Sequence, residues 1–347
     1  MSGVQTIHVG AGEGDQRLDR FLRRRFPQLG QGLIERMCRK GELRVDGGRV
    51  KASSRVEAGQ SVRVPPIPEG AAPAPEAAPR VSEADAAMMR AAVLWRDDHL
   101  IAINKPPGLP TQGGTGQPRH VDGLAEALRF GAADKPRLVH RLDRDTSGVL
   151  LLARTREAAR AMSAALRSRD ARKIYWAITA GVPQPRMGTV RYGLVKAPGH
   201  GRGGEGEKMR IVEPDAIDAT PGAQRATTDF AVLSALGRRA AWVALVPVTG
   251  RTHQLRAHMA AMGHPIVGDG KYGGSGQENL GDGWGAQLGG EISRKLHLHA
   301  RHLAFVHPIT RARVAVTAPL PEHMARTWET FGWDPADVPV DPFEEAR

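Results

Sequence analysis

Three scarcities narrow what this chain can be. It has one cysteine, Cys38, so an intramolecular disulfide framework is excluded and a reducing cytoplasm is the expected location. No apolar run approaches the roughly 18 residues of a membrane span, and the polar, acid-containing start does not read as a signal peptide, so no membrane is expected as a partner. Metal-binding spacing is also missing: there is no His-Glu-x-x-His and no cysteine cluster among thirteen histidines. His253 and His258 stand about 140° apart on a helix and cannot share one ion. His297 and His299 share a strand face that His302 does not, so no metal is expected. A Gly-rich stretch through Gly113, Gly114 and Gly116 lacks a following Gly-Lys-Ser/Thr, which excludes a P-loop. No repeat of fixed period is present.

Acidic residues are in deficit as well. Against 49 Lys and Arg stand 37 Asp and Glu, a net charge of +12. That balance favours a polyanionic partner, nucleic acid ahead of an anionic membrane surface.

Residues 65–79 hold six prolines among Ala, Glu and Gly, with Ile67 the one large apolar side chain, and read as an extended linker. The expected domains are 1–64, a linker over 65–91, a large domain over 92–325, and a tail over 326–347. In the first, Leu18, Phe21, Leu22 and Phe26 repeat at helical spacing, as do Leu33, Ile34, Met37 and Cys38. A hairpin about Asp46-Gly47-Gly48 follows, then Val62 and Val64. Residues 1–64 carry thirteen Lys and Arg against seven Asp and Glu, a net +6. A charge run is ordinarily a solvated face, but here the clusters Arg20–Arg25, Arg36–Lys40 and Arg49–Lys51 fall on consecutive elements able to form one surface. With few aromatics nearby, phosphate contacts and RNA shape are expected to dominate over stacking. Arg36, Arg39, Lys40, Arg44 and Lys51 are the candidate contacts.

In the large domain, strands are expected at Val93–Trp95, Leu100–Ile103, Lys173–Ile178, Thr228–Leu233 and Ala241–Val246. A helix capped by Thr155 should run to about Arg169. Residues 197–225, rich in Gly and Pro, read as a mobile insertion on a hairpin. Mostly antiparallel strands with intervening helices make the whole an α+β protein, a mainly antiparallel mixed-sheet domain preceded by a small α+β module.

The most informative segment is His140-Arg141-Leu142-Asp143-Arg144-Asp145-Thr146-Ser147-Gly148. Buried strand patterns, Arg137–Val139 and Val149–Leu152, flank it, and Thr, Ser and Gly are expected to close it as a tight turn. Charges held between buried runs must be paired or do chemistry; a satisfied Asp-Arg turn is the bland alternative. A second candidate segment is Thr249-Gly250-Arg251-Thr252-His253-Gln254-Leu255-Arg256-Ala257-His258. Its helix, expected over Thr252–Met262, buries Leu255, Met259 and Met262, leaving Arg256 about 100° away and free to reach Asp143 by a bidentate pair. Tyr175 lies in a strand, where tyrosine is more often core than catalyst.

The nonapeptide resembles the signature of the RluA-type pseudouridine synthases, His-Arg-Leu-Asp-x-x-Thr-Ser-Gly. The similarity extends from about Asp15 to Leu320 through Asn104-Lys105-Pro106, the Lys173-x-Tyr175 strand, the His253-Gln254-Leu255-Arg256 helix, and Gly263–Asp269 with Tyr272-Gly273. The N-terminal module is similar to an S4 RNA-binding domain in Arg39-Lys40-Gly41-Glu42-Leu43-Arg44-Val45 and in its Gly-Gln-Ser-Val-Arg-Val ending. One departure stands out, Gln112 where the family commonly has His before Gly-Gly.

The resemblance implies conversion of uridine to pseudouridine in ribosomal RNA. It is greatest to the branch acting on large-subunit RNA, whose C- and D-type members share this architecture. The bond from ribose C1′ to N1 breaks, C1′ rejoins C5, the C5 proton leaves and N1 gains one. Atoms balance, so no cofactor is implied. The resemblance makes Asp143, not Asp145, the nucleophile, Arg256 its partner, and Tyr175 the residue that stacks on the base or assists deprotonation. Arg141 is implied to fill the space of the flipped uridine, and Arg251 suits RNA phosphate. Attack at C1′, attack at C6 and assisted elimination all need the same ionised carboxylate. Two other classes stay open: an RNA-binding ribosome-assembly factor without catalysis, and a hydrolase using His140 with Asp143. No obligate protein partner is implied.

Overall fold

The computed structural model describes residues 3–67, 81–113, 118–167, 171–197, 208–273 and 292–343. It divides into two units, Met1–Arg80 and Val81–Arg347.

In the small unit the expected periodicities close one core. Helix Leu18–Arg25 buries Leu18, Phe21 and Leu22, and helix Gln31–Lys40 buries Ile34, Met37 and Cys38. The second helix stops at Gly41, whose φ of 73° supplies the left-handed cap. Both pack on an antiparallel sheet in the order Gln5–His8, Ser61–Val64, Arg44–Val45, Gly48–Arg49. Asp46 and Gly47 turn the hairpin with φ of 48° and 78°, a two-residue loop that needs positive φ at both positions.

Among the described residues, the large unit is built on an eleven-stranded sheet with one parallel pair, Ser147–Ala153 beside Leu298–Val306, and its other pairings are antiparallel. From one edge the main path runs Met209–Val212, Met187–Lys196, Gln224–Leu236, Ala240–Pro247 and Arg172–Ala180. It continues through Leu298–Val306, Ser147–Ala153 and Leu100–Lys105 to Val93–Arg96. Ser147–Ala153 is buried at every residue, the pattern of a strand covered on both faces. Helix Arg156–Ala165 starts where expected, with Thr155 Oγ1 accepting the Ala158 N–H at 3.1 Å; it ends at Ala165, with Leu166 as its C-cap, a turn earlier than the expected end near Arg169. No helix among the described residues is long and apolar enough to cross a membrane.

Three boundaries differ from expectation. The linker is shorter than 65–91: Ile67 is buried in the small core, and Glu83–Ala91 is a helix capped by Ser82 that buries Ala86 and Met89. Residues 68–80, with most of the prolines, lie outside the described residues. The expected tail over 326–347 is not a loose end where described: helix Glu322–Phe331 buries Trp328, and Trp333 and Phe343 pack against the cluster that contains Trp176 and Trp242; residues 344–347 lie outside the described residues. The insertion over 197–225 is largely strand and turn where described: Met209–Val212 pairs with Met187–Lys196, and Ile217 is buried. The alternation in Met187–Lys196 was the missing signal. Residues 198–207 lie outside the described residues.

Candidate active site

Arg137–Leu138 pairs with Leu152–Ala153, so the nonapeptide leaves the sheet and returns to it as a loop. Its start is fixed by His140, whose Nε2 accepts the Leu151 N–H at 3.0 Å. Burial drives the His140 pKa down to about 3, and a ring with its lone pair so engaged is unsuited to be a hydrolase base. Next, the Thr111 hydroxyl donates to the Leu142 carbonyl at 2.6 Å and accepts its N–H at 3.2 Å.

Beyond Asp143, the fully buried Lys105 donates from Nζ to the carbonyls of Pro106, Leu109 and Arg144 at 2.8 to 2.9 Å. Burial lowers the Lys105 pKa to about 7. At the exit Ser147 Oγ meets His299 Nδ1 at 2.8 Å. Thr146, Ser147 and Gly148 do not form the expected tight turn. Ser147 and Gly148 are already strand, and Gly148, at φ 107°, lies so close to the neighbouring strand that a Cβ would fall 2.2 Å from Ala300 O.

Held on both sides, Asp143 keeps its side chain 28% exposed in a cleft of about 410 Å³. Arg141, Arg167, Lys173, Tyr175 and Arg251 line the same cleft, a predominantly cationic wall around one carboxylate. Tyr175 is half-buried there, and desolvation of its hydroxyl, with the Asp143 charge adding, raises its pKa well above the usual tyrosine range. Stacking or orientation therefore suits it better than proton abstraction. Arg141 and Arg251 are exposed, with Arg251 Nε donating to the Arg225 carbonyl at 3.2 Å.

Arg256, on helix Gln254–Ala261, is 4% exposed. The expected bidentate pair exists, but with Asp269: Nε and Nη2 donate to its two oxygens at 2.7 Å each. The remaining nitrogen, Nη1, faces Asp143 Oδ2 at 3.9 Å. Helical spacing gives the direction of the Arg256 fork but not its competitor, the buried carboxylate of Asp269, which claims two of the three nitrogens. Burial opposes the Arg256 charge, but the hydrogen bonds and charge of Asp269, then Asp143, outweigh it and raise the guanidinium pKa. His253 Nε2 approaches the same Asp143 oxygen at 4.0 Å.

Asp143, Tyr175, Arg256, Arg141 and Arg251 are thus brought together. Lys105, Thr111, His253, Asp269 and Tyr272 support the site without having been singled out, although motifs containing all but Thr111 were visible. In the small unit, Arg39 and Lys51 share a cleft with Arg17 and Arg49. Arg36, Lys40 and Arg44 are exposed but do not line it.

Residues 99–261 match the family described as RNA pseudouridylate synthase, and residues 16–62 match the S4 domain. The chain is 36% identical over 326 residues to the ribosomal large subunit pseudouridine synthase C of Vibrio cholerae, covering 92% of this chain and 95% of that one. It is likewise 36% identical over 326 residues to the protein of that name from Escherichia coli K12, at 93% and 95% coverage. Among solved structures, human RNA pseudouridylate synthase domain containing 4 superposes with a TM-score of 0.57 at 32% identity, over 71% of this chain and 95% of that one. With a clamped aspartate loop over a cationic cleft, on this sheet and following an S4 domain in sequence, the chain belongs to the RluA-type RNA pseudouridine synthases.

Proposed function

We propose that this synthase isomerises specific uridines of large-subunit ribosomal RNA, with Asp143 as the nucleophile acting on a flipped-out uridine. The observation that carries the reading is the part-exposed Asp143 facing the buried Arg256 at 3.9 Å within a cationic cleft. A carboxylate so placed meets the need for an anion beside the ribose, and the surrounding cations suit phosphate on either side of the extruded nucleotide. Tyr175 stacks on the base. Arg141 occupies the gap left in the RNA, Arg251 contacts phosphate, and the S4 domain holds ribosomal RNA through Arg36, Arg39, Lys40, Arg44 and Lys51. The curated relatives named for the large ribosomal subunit support that choice of RNA.

Mapping pseudouridines in ribosomal RNA from cells lacking the protein tests the substrate. Defined large-subunit sites should lose the modification and regain it with the wild-type gene but not with Asp143→Asn. An unchanged large-subunit map, or loss confined to other RNA, would overturn the assignment.

A further inference from the structure

Tyr272 and His253 form a pair behind the candidate nucleophile. The Met209 N–H donates to the Tyr272 hydroxyl at 2.8 Å, and the same hydroxyl meets His253 Nδ1 at 3.0 Å. With one lone pair taken by the Met209 N–H, the phenol is able to turn its own proton toward Nδ1 and make that nitrogen the acceptor. In that arrangement a neutral ring carries its hydrogen on Nε2, the atom 4.0 Å from Asp143 Oδ2. The two rings meet edge to face, 5.7 Å apart at 84°.

His253 is committed to this role at a conformational cost. It sits at the helix N-cap with φ 52°, and its side chain makes no capping bond. Gln254 ties down the turn that leads into the helix, its Oε1 accepting the Arg251 N–H at 3.1 Å and the Thr249 hydroxyl at 2.6 Å. Left-handed backbone in a non-glycine residue persists where its surroundings impose it, often at functional sites. Asp269 links the parts: it forks Arg256 and also accepts the N–H groups of Lys271 and Tyr272 at 3.0 and 3.1 Å. The charges facing the His253 ring are Asp143 and Asp269 on one side of the balance and Arg256 and Lys271 on the other; burial comes first and lowers its pKa.

We propose that His253 is a positioning residue of the isomerisation: locked by Tyr272 as the Nε2–H tautomer, it donates to Asp143 Oδ2 once uridine is bound. Arg256 Nη1 faces that same oxygen, so Oδ2 is pinned from two directions and Oδ1 is the oxygen presented to the substrate. The inference rests on Asp143 being the reactive carboxylate.

Single-turnover rates and affinities on a large-subunit RNA fragment test it for the wild type, His253→Gln, His253→Leu and Asp143→Asn. Glutamine can place an N–H where Nε2 stood and should stay within about threefold of the wild-type rate, whereas leucine should lose about tenfold to a hundredfold with little change in affinity. Nitrogen-15 spectra of the wild-type ring, assigned by the signal missing in either His253→Gln or His253→Leu, should show hydrogen on Nε2 and a bare Nδ1. Tyr272→Phe should convert that signal to a tautomer mixture. Hydrogen on Nδ1 in the wild type, or equal rates for the Leu and Gln variants, would overturn the inference. If Asp143→Asn itself stays active, it is the nucleophile assignment that fails. The wild-type spectrum keeps the test decisive should a variant fail to fold.

Discussion

Among the individual residues, Asp143 is the outermost member of a relay of charge. Asp269 is fully buried and orients Arg256, and Arg256 turns its remaining nitrogen toward Asp143. Asp143→Asn preserves shape but removes the charge and nucleophilicity, so turnover should fall on the order of 10⁴-fold with RNA affinity nearly intact. Asp145 is exposed, and Asp145→Asn should be far milder; comparable losses from both would contradict the assignment. Arg256→Met should lose stability as well as rate, because it strands the buried Asp269 carboxylate at a cost of about 3–5 kcal/mol. A urea-unfolding curve unchanged by this substitution would contradict the Asp269 pairing.

Among the strands and loops, the Asp143 loop is precise because its anchors are buried. Gly148→Ala would drive a methyl into the Ala300 carbonyl, and should lower both thermal stability and activity; a variant as stable as the wild type would show that the strands can separate there cheaply. His140 and His299 anchor the same region, and His258 and His297 are buried elsewhere in the large unit. Burial holds His140, His297 and His299 at pKa values of about 3 and His258 at about 4, against about 6.5 for an unfolded chain. Folded values below unfolded ones mean that stability is complete above pH 6.5 and falls as the pH drops toward the folded values. The loss is up to about 1.4 kcal/mol per pH unit for each ring. The urea midpoint should therefore be clearly lower at pH 5.5 than at pH 7.5, and equal midpoints would refute the buried-neutral assignment.

The same elements show how far the sequence could be read. Helical spacing revealed Leu18–Arg25 and Gln31–Lys40, and buried runs revealed most central strands, because local periodicity reports which face is covered. Glu83–Ala91 was hidden by the proline-rich composition beside it, and Trp328 and Trp333 read as tail because their partners, Trp176 and Trp242, are distant in sequence. In the site, Asp143 was legible from its nine-residue segment. The Arg256–Asp269 fork was not, since thirteen residues of separation say nothing about which carboxylate a buried guanidinium will meet first.

In the molecule as a whole, the two units have separate cores: among the described residues the small one draws on residues 7–67, and the clusters of the large one on Val81 and residues beyond it. Removing residues 1–80 should leave a folded large unit with weaker, less salt-dependent RNA binding. Each phosphate that the truncated protein no longer neutralises should lower the slope of log affinity against log salt by about 0.7 to 0.9. With the five proposed contacts Arg36, Arg39, Lys40, Arg44 and Lys51 removed, a decrease of about 3.5 to 4.5 is expected. Equal slopes for both forms would mean that this surface does not touch the RNA.

One carboxylate, Asp143, is held to drive uridine isomerisation in large-subunit ribosomal RNA, and everything proposed for the site depends on it. Release of tritium from that RNA carrying uridine labelled at C5 measures this step itself, because the C5 hydrogen leaves only if the base has been detached, turned and rejoined. The wild-type protein should release tritium in proportion to the sites modified, and Asp143→Asn should bind the RNA with similar affinity and release none. Release by Asp143→Asn at a substantial fraction of the wild-type rate, or no release by the wild type from unmodified large-subunit RNA, would contradict the assignment.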